Sequence, residues 1–133
     1  MNIKEVEGIG EVFGAKLEAA GVASTEALID QGASPAGREK LATSIDVTAA
    51  RILEWVNRVD LMRVRGVGSE YSDLLEAAGV DTVPELAQRN PANLAEAIAA
   101  TIAEKGLVRR PPSASEIESW VAHAKELGRV ITY

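Results

Sequence analysis

The 133-residue chain contains no cysteine, one histidine, two tryptophans, two tyrosines and one phenylalanine. Without thiols there is no disulfide, no zinc–thiolate centre and no cysteine nucleophile. The lone histidine, His123, has no second imidazole or thiol with which to share a metal, and its place in a helical pattern reads as a solvent-edge position. So few aromatics leave little for base-stacking platforms, which need rings on the surface. Positive charge is also short: 14 Lys and Arg face 20 Asp and Glu, for a net charge of −6. A nonspecific nucleic-acid binder usually carries a basic patch and a high pI. This balance argues against broad phosphate attraction and leaves room only for a local site. No apolar run approaches the roughly 20 residues of a membrane span. The opening Met1-Asn2-Ile3-Lys4-Glu5 lacks the apolar core of a signal peptide. The chain is therefore expected to be soluble and cytoplasmic, without membrane contact, and the missing cysteines suit a reducing compartment. A chain of this length buries roughly two thirds of its unfolded surface, enough for one domain or two small ones without a staple.

What is present is an internal repeat. Gly8-Ile9-Gly10 recurs 58 residues on as Gly66-Val67-Gly68, and Leu17-Glu18-Ala19-Ala20-Gly21-Val22 recurs as Leu75-Glu76-Ala77-Ala78-Gly79-Val80. Phe13 is matched by Tyr71 and Leu28 by Leu86. Near the unit ends, Ile52-x-x-Trp55-Val56 is echoed by Ile117-x-x-Trp120-Val121, now 65 residues apart. The second copy has thus gained seven residues, expected around the basic, proline-bearing stretch Arg109-Arg110-Pro111-Pro112. Glycines, apolar positions and tryptophan recurring in one order read as a duplication. The units are expected at 1–60 and 61–133, packed together because no Gly/Ser-rich linker parts them.

The punctuation is helical throughout. Tyr71, Leu74, Leu75 and Ala78 fall at i, i+3, i+4 and i+7, one apolar face of a helix over about 69–78. Gly79 and Val80 suit a Schellman ending. Thr82-Val83-Pro84-Glu85 and Ser113-Ala114-Ser115-Glu116 read as capping boxes. Asn90-Pro91 and Ser34-Pro35 read as N-cap and N1 pairs, and Asp46 as a further start. The first unit should hold helices near 11–20, 25–31, 35–43 and 47–59. A continuous helix is expected through Trp55 and Val59 to Val64. No segment alternates long enough to argue a strand; Val130-Ile131-Thr132-Tyr133 is β-prone but short.

The Gly-x-Gly turns carry the most chemistry. Two glycines let the backbone turn sharply, and amides at the start of the following helix make a small anion site with the helix dipole. One nucleic-acid phosphate fits there without any base being read. Charge separates the two copies. The first, Gly8-Ile9-Gly10, is flanked by Glu5, Glu7 and Glu11, and is expected to be structural or protein-facing. The second, Gly66-Val67-Gly68, stands beside Arg63 and Arg65, with Arg109 and Arg110 as further basic candidates, although Glu70 competes with a phosphate in the first helical turn. Trp55, Trp120, Phe13 and Tyr71 read as equivalent core positions. No nucleophile–base pair, P-loop, metal motif or apolar-set carboxylate pair appears, so no catalytic residue, cofactor or metal is expected.

The run from Gly66 through Tyr71, Leu75-Glu76-Ala77-Ala78-Gly79-Val80, Thr82-Val83, Glu85-Leu86-Ala87, Asn90-Pro91, Asn93-Leu94, Pro112-Ser113, Trp120-Val121 and Ala124-Lys125 resembles a bacterial family known as a domain of unknown function. The joint Trp55–Val64 and the first unit look like it too. The resemblance implies a helix-hairpin-helix-like fold. More distantly, the hairpins are similar to helix-hairpin-helix domains of DNA repair proteins and to the C-terminal domain of the bacterial RNA polymerase α subunit. Those bind DNA backbone or protein, usually with Lys or Arg soon after the second glycine. Here those places hold Glu11-Val12 and Ser69-Glu70. The expectation is an all-α tandem of two helix-hairpin-helix (SAM-like) units that binds rather than catalyses. A protein partner comes first, and sequence-independent nucleic-acid binding at the second hairpin is the alternative.

Overall fold

The computed structural model describes residues 1–106 and 110–133. Among the described residues the chain is all-helical, with one isolated bridge between Asn2 and Ser24 and no strand. A 3-10 turn at Ile3–Glu5 precedes α1 (Gly10–Ala19), α2 (Thr25–Gly32), α3 (Pro35–Ile45) and α4 (Ala49–Leu61). Then follow α5 (Ser69–Ala77), α6 (Val83–Ala87), α7 (Pro91–Lys105) and α8 (Ala114–Glu126).

The chain divides into two compact units, Met1–Asp60 with Val130–Tyr133, and Leu61–Arg129. The order of the repeats assigns 130–133 to the second unit; they lie with the first. Ile131 is buried in the first unit's apolar core. The N–H of Thr132 donates to Ala33 O at 2.8 Å. Four residues carry too little local pattern to announce such a docking.

The same backbone devices close helices in both units. Ser24 and Thr82 cap α2 and α6 through their hydroxyls, with φ of −133° and −135°. Thr82 accepts from Glu85 N, but its hydroxyl donates to the Glu85 carboxylate rather than leaving that carboxylate for its own N–H, so only half of the expected capping box forms. At Ser113 the box is complete. After α1, Val22 N donates to Leu17 O; after α5, Val80 N donates to Leu75 O, both at 2.8 Å. These bonds bring Val22 and Val80 inward, and both are fully buried. Burying such a side chain contributes roughly 1.5–3 kcal/mol.

Two expected boundaries shift. Asp46 does not start a helix. It ends α3 in the left-handed region (φ 57°, ψ 52°), its N–H bonded to Ala42 O. Aspartate tolerates this conformation because its short polar side chain bonds locally. The start of α4 falls instead to Thr48, whose Oγ1 accepts from Arg51 N at 3.1 Å.

The helix through Trp55 also stops at Leu61 rather than reaching Val64. Beyond it Val64 N bonds Leu61 O, and Val67 N bonds Val64 O. Leu61, Val64 and Val67 are all buried. Each bond closes a separate short turn, and Gly66, at φ +89° between Val64 and Val67, ends any helical winding. Ile3, Val6 and Ile9 repeat these turns in the first unit, with bonds Val6 N to Ile3 O and Ile9 N to Val6 O around an extended Val6 and Gly8 at φ +89°.

Candidate interaction sites at the two glycine turns

Each Gly-x-Gly turn rests on a tryptophan. Gly8 and Gly66 both adopt φ +89°, a conformation that favours glycine. A Cβ at Gly66 would stand 3.2 Å from Trp120 Nε1; one at Gly8 would stand 3.2 Å from Arg58 Nη1 and 4.0 Å from Trp55 Nε1. The indoles in turn meet the first aromatic of the following helix. Phe13 and Trp55 have ring centroids 5.2 Å apart at 54°, and Tyr71 and Trp120 are 5.2 Å apart at 51°. Tilted pairs at this separation suit the ring quadrupoles. The aromatics are thus committed to the cores, as their spacing implied. The middle residues, Ile9 and Val67, are buried. Only the glycines and the next helical turn face out.

The last residue before each turn is braced from the tryptophan-bearing helix. Arg58 Nη1 donates to Glu7 O at 2.8 Å. In the second unit the donor direction reverses: Arg65 N–H donates to His123 Nδ1 at 2.9 Å. His123 is half-buried, at the solvent edge as its place in the helix implies, and it is also engaged by this bond. A backbone N–H partner leaves no trace in sequence, so the residue pattern alone does not reveal this role.

The second glycines differ. Gly10 opens α1 with φ +67°, whereas Gly68 is the extended N-cap of α5 and supplies no side-chain cap. A cleft of about 490 Å³ opens there, lined by Gly68, Ser69, Glu70, Tyr71 and Arg110. Around it the expected arginines do not converge. Arg63 turns its guanidinium to Gly128 O at 3.0 Å. Arg110 forms a two-pronged pair with Glu116, both contacts 2.8 Å, and lies over the Tyr71 ring at 5.8 Å. That pairing, with the Ser113 amide, holds the Glu116 carboxyl down to about 2 and raises Arg110 further above its ordinary value. Arg65 is exposed and lines a smaller cleft with Gly66, Ser115, Glu116, Ser119 and Trp120. Arg109 lies outside the described residues.

At the first glycine turn the carboxylates are partly answered. Lys4 Nζ sits 3.3 Å from Glu11 and 3.1 Å from Glu18, and these two hydrogen-bonded carboxylates, Glu18 foremost, raise its pKa. Glu5 accepts the Asn2 N–H. Beside Glu11 stands Val12, 69% exposed, where the second turn carries Glu70.

Among the described residues no helix is long and apolar enough to cross a membrane, and no cluster of His, Asp and Glu is arranged to hold a metal. Fold and turns together define an all-helical protein with two Gly-x-Gly turns, each seated on an indole. The chain belongs to the DUF4332 family, a domain of unknown function, whose model matches residues 7–127. No curated protein and no solved structure matches it significantly.

Proposed function

We propose that the chain is a duplicated helix-hairpin-helix module of bacterial cytoplasm that binds a protein partner and catalyses no reaction. The observation that carries this reading is the fate of the arginines at the second hairpin. Arg63 is engaged by Gly128 O and Arg110 by Glu116, so two of the groups a phosphate would need are already answered within the chain. With a net charge of −6, approach to a polyanion is also disfavoured at long range. The first hairpin offers a protein a different surface: the exposed apolar Val12 beside Glu11, whose carboxylate is paired with Lys4. The chain's net negative charge favours a basic partner and speeds encounter with it.

The alternative is sequence-independent contact with nucleic-acid backbone at Gly66-Val67-Gly68. Favouring it, α5 begins without a side-chain cap, and its first turn opens on the cleft lined by Arg110.

One pair of measurements separates them. Labelled duplex DNA at low salt, where electrostatic binding is strongest, should show no anisotropy change with the chain. A photo-crosslinker at position 12 should capture a discrete protein from cell extract, insensitive to nuclease and lost with Glu11→Lys. A DNA shift abolished by Arg63→Glu with Arg65→Glu, with no capture at position 12, reverses the assignment.

A further inference from the structure

Away from both glycine turns, the first unit holds a piece of chain as a receptor holds a peptide. The segment Val130–Tyr133 lies outside every helix, yet one of its residues is clamped by both main-chain groups. The N–H of Thr132 donates to Ala33 O at 2.8 Å, and the C=O of Thr132 accepts from Arg38 Nη2 at 2.7 Å. Engaging N–H and C=O of the same residue is how a sheet edge takes an added strand. Here a helix junction does it. On either side of Thr132, Ile131 is 2% exposed within the core of the unit, and Tyr133 lies against the Arg38 guanidinium with its hydroxyl donating to Asn57 Oδ1 at 3.2 Å.

Part of the receiving groove is held by bonds that the segment does not make. Arg38 is 5% exposed on α3, and its Nη1 donates to Gly32 O at 2.9 Å, a bond the segment does not make. Gly32 ends α2 directly against Val56 and Ile52 of α4, where any side chain would collide. The groove therefore presents three fixed groups: a carbonyl acceptor at Ala33, a buried guanidinium donor at Arg38, and an apolar socket. With the segment in place the Arg38 guanidinium is held on one side by its own helix junction and on the other by the Thr132 carbonyl, a group that any peptide main chain offers. The occupant is held by one buried side chain and a handful of hydrogen bonds, and its approach, Gly128-Arg129-Val130, is exposed.

We propose that this groove is a peptide-binding site, filled in cis by Val130–Tyr133. Its trans ligand is a segment of another protein with the same chemistry: an aliphatic anchor, one residue gripped by its main chain, then an aromatic. This site is independent of Val12 and of the glycine turns, so it stands or falls apart from the reading above.

The test uses the whole chain carrying Ile131→Glu, which expels the anchor, and a fluorescent hexapeptide of the sequence of residues 128–133. The peptide should bind this variant saturably and at least ten-fold more tightly than the unsubstituted chain, where the tethered segment competes. Adding Arg38→Met, or placing Glu in the peptide at the isoleucine, should lose that binding. In the unsubstituted chain the Thr132 amide should exchange with deuterium at least a hundred-fold faster than the amides of Leu28 and Ile52. The proposal is overturned if a folded Ile131→Glu chain fails to bind the peptide. It is equally overturned if that variant loses its helical signal, or if Thr132 exchanges only with those core amides, because the segment would then be core and not occupant.

Discussion

The two glycine turns share a scaffold and differ in how it is charged. In both, a glycine at φ +89° lies over an indole, and the indole meets an aromatic 5.2 Å away. In both, a guanidinium sits over that aromatic. For Phe13 it is Arg51, at 5.2 Å, from one residue before Ile52. For Tyr71 it is Arg110, at 5.8 Å, because the position before Ile117 holds Glu116, which draws Arg110 in. The second unit thus reaches the same stacked cation by an ion pair where the first uses one residue. The braces diverge likewise: a cation donating to a carbonyl through Arg58, an imidazole accepting an amide through His123. The apolar frame tolerates exchange of polar parts because tilted rings and a turn with a buried middle residue fix the geometry first.

The largest expected effect tests that frame. Trp55→Ala and Trp120→Ala each remove a buried indole, at a cost of about 3–5 kcal/mol. Urea midpoints should fall by similar amounts in the two variants. A tryptophan that proved dispensable in one unit alone would break the equivalence.

Next comes a prediction that sharpens it. Gly8→Ala and Gly66→Ala both force an L-residue into the left-handed region, worth roughly 1–2 kcal/mol. Their neighbours differ. The new methyl meets the Arg58 guanidinium at Gly8, which can swing aside by giving up one exposed bond to Glu7 O, and the edge of a packed indole at Gly66, which cannot. Gly66→Ala should therefore be the costlier by about 1 kcal/mol, at the low end of overpacking effects. Equal losses in thermal denaturation would show that backbone strain alone sets the cost.

Most of the helical frame is legible in the sequence because its signals are local. Ser24, Ser34, Asn90 and Ser113 cap where their side chains reach the next turn, and the apolar positions around Leu17 and Leu75 name their own faces. The helix end at Leu61 is harder to read, because the spacing of Leu61 and Val64 also suits a continuing helix and only the turns around Gly66 break it. The site is less legible. Arg63 and Gly128 are far apart in sequence, as are Arg65 and His123, and a backbone acceptor or donor has no sequence signature. Arginines near a glycine turn suggest a phosphate clamp until their reach is measured, since the same fork satisfies a carbonyl or carboxylate equally well. The docking of Ile131 is hidden for a related reason: it joins an apolar core built by residues far back in the chain, and nothing in four residues points there.

The smallest expected effect concerns the ion pair peculiar to the second turn. The Arg110 guanidinium and the Ser113 amide lower the Glu116 carboxyl from its ordinary value of 4.5 to about 2. A carboxyl depressed in the folded chain contributes stability that is fully present above about pH 4.5 and disappears as pH falls through about 2. The pair is exposed, so the gain is small and salt-screened. Glu116→Gln should leave thermal stability unchanged near pH 2 and lower it slightly above pH 4.5, by no more than a few degrees. A difference that grew toward acid would contradict the pairing. The same variant bears on the comparison of ligands. The substituted amide holds Arg110 only through hydrogen bonds to a neutral group, freeing its charge toward the cleft at Gly68 and Ser69. If that cleft is built for phosphate and merely masked, Glu116→Gln should bind duplex DNA at low salt where the unsubstituted chain does not. If the second glycine turn is only structural, relieving the ion pair will change stability and nothing else.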